Sequence, residues 1–364
     1  MSDPPAARAS VDRLAEPVPL DRYPDDVARF LAGLPAMPGS PLAAWHESEA
    51  WATHRRELDR AWSRLETELV GPARAFQQQA LATISSDRLF YPFSGPDSLM
   101  ATTFFPRAHA YVMVGLEPAG TLPDPKRLAD GDLARFLARE RLTMSSVLGR
   151  SFFVTREMDR EFRGQVTDGL FQPILHLLVR ANHTILGSRY VRLDDSGALV
   201  ERPPDYHAPG NIGNKGIEID FRSGADGALH KLIYLSVNLS DEPMRDNRPF
   251  QTFVSGLKGS AAFLKATSYM VQRPEFSIVR QQVLSNCIAV LQDDSGIPYR
   301  FWVSPVWRVQ LYGDYVRPYG SFRWLEQPDL REAYQTANPQ PLPFRIGYGY
   351  GRAPSNLLLA IRNP

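Results

Sequence analysis

Between Asp87 and Gly120 the chain reads strand, glycine turn, short helix, strand. Leu89–Phe93 and Ala110–Leu116 are near-continuous apolar runs. Ser94-Gly95-Pro96-Asp97 supplies a turn between them, and a helix from Ser98 is stopped by Pro106. Strands apolar along their whole length belong to sheets covered on both faces, which are mostly parallel. Parallel neighbours need a crossover, usually a helix. This segment therefore predicts an α/β fold with a central sheet that starts at Leu89.

The rest of the chain is read around that sheet. Residues 1–40 are rich in proline and alanine and predict an extended arm with one short helix, Asp25–Leu34. Residues 41–364 are expected to form a single α/β domain, opened by a helical segment over 41–84. In that segment Trp51, Leu58, Trp62, Leu65 and Leu69 make one apolar helical stripe from His46 to Ala82, which Gly71-Pro72 is expected to divide. Asp130–Ala181 is again helical in pattern, with Leu170, Ile174 and Leu178 in a central helix. Strands are expected at Ile185–Leu193, Gly216–Phe221 and His230–Val237, so the central mixed sheet gains antiparallel strands in the C-terminal half and is flanked by helices. Phe250–Leu284 reads as a long helical segment, because Phe253, Leu257, Ala261, Leu264 and Ser268 share one face. Asp-Asp-Ser-Gly occurs at Asp194–Gly197 and again at Asp293–Gly296, each between short apolar runs. Both copies are read as hairpin turns, since aspartate and glycine tolerate the conformations such turns require. Phe344–Gly347 and Leu357–Ile361 are expected to pair antiparallel at a sheet edge.

Charge and cysteine content exclude several functions. The chain has 41 basic and 40 acidic side chains among 364 residues. Its field favours neither nucleic acid nor a lipid surface, and a small-molecule ligand is the expected partner. The single cysteine, Cys287, rules out an intrachain disulfide, and its strand-like neighbours predict a buried, inert thiol. The N-terminus carries no apolar signal core, and no apolar run is long enough to span a bilayer, so a soluble, cytoplasmic protein is expected. The sequence does not determine its oligomeric state.

The crossover also carries the best candidate site. A turn glycine lets a ligand approach the backbone, and an acid closing the next strand can accept hydrogen bonds from ribose hydroxyls. Gly95 and Glu117 are 22 positions apart, near the ~20 of that geometry. Residues 87–120 resemble the first strand-helix-strand unit of Rossmann-type S-adenosylmethionine methyltransferases. The resemblance implies a Rossmann-like enzyme that binds S-adenosylmethionine, with Ser94, Gly95 and Asp97 in the cofactor loop and Glu117 on the ribose. Two features depart from that pattern: the loop has one glycine where the family has several, and Pro96 removes an N–H donor. The chain as a whole resembles bacterial proteins of uncharacterised function. A structural crossover in which Glu117-Pro118 merely ends a strand is the competing reading.

Asp293, Tyr299 and Lys265 are the candidates to face a methyl acceptor. Adjacent carboxylates such as Asp293-Asp294 can serve acid–base or metal chemistry, although neighbours on a strand point apart. No cofactor metal is predicted. The seven histidines show no dense ligand spacing, and His183 is the one worth locating. Ser255-Gly256-Leu257-Lys258 fits a Ser-x-x-Lys pattern and keeps a hydrolase as a third alternative. The second alternative is a non-catalytic binding protein that uses residues 299–324, where aromatic side chains alternate with Arg300, Arg308, Arg317 and Arg323.

Overall fold

The structure, a computed structural model, describes residues 17–128, 131–150, 169–203, 213–350 and 354–363. Residues 1–16 of the expected N-terminal arm lie outside them. The chain enters through helix α1 (Tyr23–Leu31) and a long helical run that begins with α2 (Glu49–Leu65). The run continues through a π turn at Glu66–Val70, α3 (Gly71–Phe76) and a second π turn at Gln77–Leu81. The expected break at Gly71-Pro72 does not occur. Proline lacks an N–H and crowds the carbonyl of the preceding turn, and the wider π turn just before it accommodates both defects.

The crossover follows as β1 (Arg88–Pro92), α4 (Ser98–Phe104) and β2 (Ala110–Gly115). Then come α5 (Leu133–Arg150), α6 (Phe171–Arg180), β3 (His183–Leu193), β4 (Leu199–Arg202), β5 (Lys215–Ser223) and β6 (Leu229–Ser236). The remainder comprises α7 (Asp241–Asp246), α8 (Arg248–Ser255), β7 (Ser260–Leu264), α9 (Ser277–Asn286) and β8 (Cys287–Gln292). Strand β9 (Trp307–Gly313), α10 (Pro328–Thr336) and β10 (Asn356–Arg362) complete it.

The strands form one ten-stranded mixed sheet in the order β4-β3-β5-β6-β2-β1-β7-β8-β10-β9. Its five central strands, β6-β2-β1-β7-β8, are parallel, with Leu89 of β1 facing Tyr111 on one side and Ala261 on the other. Antiparallel strands flank them: β5, β3 and β4 beyond β6, and β10 between β8 and β9. From β1 the chain moves outward through β2 to β6. It then returns across the sheet to β7 and moves outward the other way to β8. The direction of winding therefore reverses between β1 and β7.

Alternation along the strands sorts their side chains into two cores, one on each face. Tyr91, Tyr111 and Met113 meet Leu99, Phe104, Ile174 and Leu178 on the face carrying α4 and α6. Phe90, Val112 and Val114 meet Phe250, Phe253, Val279 and Val283 on the face carrying α8 and α9. Each fully buried side chain of this size stabilises the fold by roughly 1.5–3 kcal/mol. A smaller cluster of Phe30, Leu31, Trp51 and Leu137 fixes the N-terminal helices to α5.

Three expectations are corrected here. The long helix over Phe250–Leu284 is instead α8, strand β7 and α9. Gly259 at φ +87° turns the chain, and the buried Ser-Ala-Ala-Phe-Leu run that follows is a central strand. Alanine is a poor strand former, so the run looks helical, and its place between β1 and β8 at the centre of the sheet overrides that local preference. The second Asp-Asp-Ser-Gly is no hairpin, because Ile297–Trp302 forms a loop with a single 3-10 turn at Tyr299–Phe301. The partners of β10 are β8 and β9, and Phe344–Gly347 is not a strand. Among the described residues, no helix is long and apolar enough to cross a membrane.

Candidate functional site

A cleft of about 290 Å³ opens at the carboxyl ends of β1, β2, β6 and β7, where the winding reverses. That volume is near the lower end for a small-molecule site. Residues that immediately follow each of the four strands build its walls.

After β1 the backbone takes left-handed turns at Phe93 (φ +60°) and Gly95 (φ +52°). A bulky residue in that region is a true outlier, and such outliers concentrate at functional sites. The Ser94 N–H donates to the Val114 carbonyl at 2.9 Å, which ties the turn to β2. A side chain at Gly95 would meet nothing within 4 Å, so glycine is needed there for its φ and not for space. Asp97 caps α4 by accepting the Met100 N–H at 3.3 Å, and its other oxygen accepts the Tyr91 hydroxyl at 2.8 Å. That same oxygen lies 2.5 Å from Nζ of Lys265. The start of α4 is thus already served by a carboxylate, and Pro96 has no N–H, so no anion cradle exists there.

After β2, half-buried Glu117 lines the cleft, and its carbonyl accepts the Tyr234 hydroxyl at 2.7 Å. A Cβ at Gly115 would fall 3.0 Å from Oε2 of Glu117, so glycine at 115 leaves room for that carboxylate. After β6 come Asn238 and Ser240, linked by the Ser240 hydroxyl donating to Oδ1 of Asn238 at 2.8 Å. Phe93 and Phe276 meet edge to face at 5.7 Å and, with Leu239, give the cleft an apolar wall. Asp97, Glu117 and Lys265 are the acidic and basic side chains of its lining.

Of the three acceptor candidates, only Lys265 reaches the cleft. Asp293 is buried beside it and is occupied. It accepts the Ala266 N–H at 2.8 Å, the Ser295 N–H at 3.0 Å and the Ser295 hydroxyl at 2.5 Å. Asp294 accepts the Tyr269 hydroxyl. Burial raises both carboxyls above the ordinary range, and Asp294 is raised further by the charge of Asp293. Tyr299 is half-buried in its 3-10 turn, with its backbone N–H on Oε1 of Gln327 at 2.7 Å, away from the cleft.

The remaining candidates lie elsewhere. Ser255 is exposed before the start of β7, at the opposite end of the parallel strands, and its hydroxyl donates to the Thr252 carbonyl. Cys287 is fully buried, and burial pushes its thiol up to about 12. His183 lies tilted against Phe221 at the start of β3, and burial lowers its pKa to about 4. Among the described residues, no group of histidine, cysteine and acidic side chains is placed to hold a metal ion. In the aromatic segment after Tyr299, Trp302 and Trp307 are buried, Phe322 lies against Tyr269 at 5.0 Å, and Trp324 is exposed.

Sequence reading missed Asn238, Phe276 and Tyr348. Asn238 follows β6 as Glu117 follows β2, so its strand-end position was a usable signal. Phe276 reaches the cleft, and Tyr348 the segment that forms one of its walls, through the fold alone. Comparison with known protein families, curated proteins and solved structures finds no match to this chain.

Proposed function

We propose that the protein is a Rossmann-like enzyme whose cleft takes an adenosine-containing cofactor, that the cofactor is S-adenosylmethionine, and that the reaction is methyl transfer. The observation that carries this reading is the position of the cleft. The parallel strands run β6-β2-β1-β7-β8, which is the 3-2-1-4-5 order of a doubly wound sheet. Ligands of such sheets bind outside the strand carboxyl ends at the switch point, which is where Gly95 and Glu117 stand.

The chemistry of the lining supports this cofactor over a dinucleotide or a nucleoside triphosphate. Phosphates need free backbone N–H groups or unpaired cations. Here the helix start is capped by Asp97, Pro96 offers no donor, and the ammonium of Lys265 is paired. The carboxylates of Asp97 and Glu117 suit a sulfonium instead. In this reading Glu117 accepts the ribose hydroxyls, Phe93, Phe276 and Leu239 exclude water from the base, and Ser94 and Gly95 bound the loop. When bound, the sulfonium supplies an electrophilic methyl group. Fold by itself does not assign this function, and the reading rests on the residues of the site.

Isothermal titration with S-adenosylhomocysteine tests the proposal, with NAD and ATP as comparators. Saturable binding of S-adenosylhomocysteine, tighter than either comparator, is expected. A folded sample that gives no heat at millimolar S-adenosylhomocysteine, or that prefers ATP, overturns it.

A further inference from the structure

One wall of the cleft stands on unusual backbone. Ala266, Ser268 and Tyr269, just after β7, have φ of +51°, +52° and +55°. Three non-glycine residues in the left-handed region within four positions are unfavourable unless their surroundings hold them there. Two segments do so. From the loop after β8, Asp293 accepts the Ala266 N–H at 2.8 Å, and Oγ of Ser295 accepts the Thr267 N–H at 2.9 Å. From the C-terminal part of the chain comes Tyr348. Its Oη accepts the Ser268 N–H at 3.0 Å and donates to the Ala266 carbonyl at 3.1 Å. Its ring stacks on Tyr269 at 5.7 Å, with the planes 10° apart. Tyr348 is brought there by Gly347 (φ +58°), where a Cβ would fall 2.2 Å from Oδ2 of Asp293.

We infer that Tyr348 is a positioning residue: its hydroxyl holds Ala266–Ser268 in the left-handed form, and that form sets the shape of the cleft wall against which the ligand fits. Ala266, Thr267 and Ser268 line the cleft, whereas Tyr348 does not. Its effect on binding therefore passes through the wall. The binding half of this inference rests on the cofactor reading above, and the conformational half stands without it.

Tyr348→Phe removes both backbone hydrogen bonds and keeps the ring. Amide hydrogen exchange over residues 265–270 of the ligand-free protein is expected to quicken about tenfold, with β1 and β2 unchanged. The affinity for S-adenosylhomocysteine is expected to fall by a similar factor. Adding Ala266→Gly to that variant makes the left-handed form easily accessible and removes only a methyl group, so it is expected to recover most of both losses. A merely structural role for Tyr348 predicts slower melting recovery and no such rescue of exchange or affinity. Unchanged exchange in Tyr348→Phe, or loss without rescue in the double variant, overturns the inference. If the unaltered protein binds no S-adenosylhomocysteine, the cofactor reading fails and the exchange data alone decide the role of Tyr348.

Discussion

Nζ of Lys265 and Oδ2 of Asp97 lie 2.5 Å apart on the wall of the cleft, and both side chains are almost wholly buried. The pair joins the ends of β1 and β7, the two strands between which the sheet reverses its winding. Removing one member of a buried ion pair leaves the other without its countercharge, which costs about 3–5 kcal/mol. Lys265→Met and Asp97→Asn are therefore both expected to lower stability by amounts of that order. Asp97→Asn is the milder, because an asparagine still caps α4. Urea unfolding of the two variants measures the difference, and near-neutral effects in both contradict this account.

Glu117 is half-buried, and the proposed reading places its carboxylate on the ribose. Glu117→Gln keeps the size of the side chain and removes the charge. Hydrogen bonds to a charged group contribute about 1.5–3 kcal/mol, so affinity for S-adenosylhomocysteine should drop by roughly tenfold or more. A change in melting temperature would report the part Glu117 plays in the fold. Titration calorimetry beside a thermal melt separates the two effects.

The two Asp-Asp-Ser-Gly tetrapeptides behave differently. Asp194 lies at a surface hairpin, accepting the Ser196 and Ala198 N–H groups, both at 2.9 Å. Asp293 is buried and accepts three donors. Asp194→Ala is expected to cost about 1 kcal/mol, and Asp293→Ala at least ~3 kcal/mol, because buried donors are left without acceptors. Equal costs in urea denaturation would show that burial does not separate them.

Stability should also depend on pH through the helical layer. Burial lifts the carboxyl of Glu140 to about 8, and the same cause lowers His176 to about 3, with the two side chains 3.1 Å apart. Glu140 stays protonated in the native state while the unfolded chain has released that proton. Its contribution therefore declines as pH rises from the ordinary carboxylate range to about 8. His176 acts in the opposite sense, because the unfolded chain is the more protonated, and its contribution grows from about pH 3 up to the ordinary histidine value. Above that value His176 no longer contributes, and Glu140 gives a slope of up to about 1.4 kcal/mol per pH unit. Unfolding measured between neutral pH and pH 8 should show the decline, and Glu140→Gln should flatten it.

The crossover was legible in the sequence because two continuous apolar runs and a single glycine turn leave few alternatives. Strand β7 was not legible. Ala261 and Ala262 carry too little side chain to declare a strand, and Phe253, Leu257 and Ala261 fall by chance at helical spacing. That one miss concealed the parallel half-sheet beyond β1, and with it the reason Lys265 faces the cleft. Asp293 and Asp194 share their local sequence, so only long-range packing distinguishes a wall support from a surface turn. Tyr348 had no local mark at all: its role comes from a contact with Ser268 that no pattern of neighbours encodes.

The reversal of winding also bears on how this protein is made. As the chain leaves the ribosome, β1 gains its β2 neighbour at Ala110 but waits for the other until Ser260 has been synthesised. Until then the edge of β1 that later meets β7 has no strand partner, and such unpaired edges favour pairing with other chains.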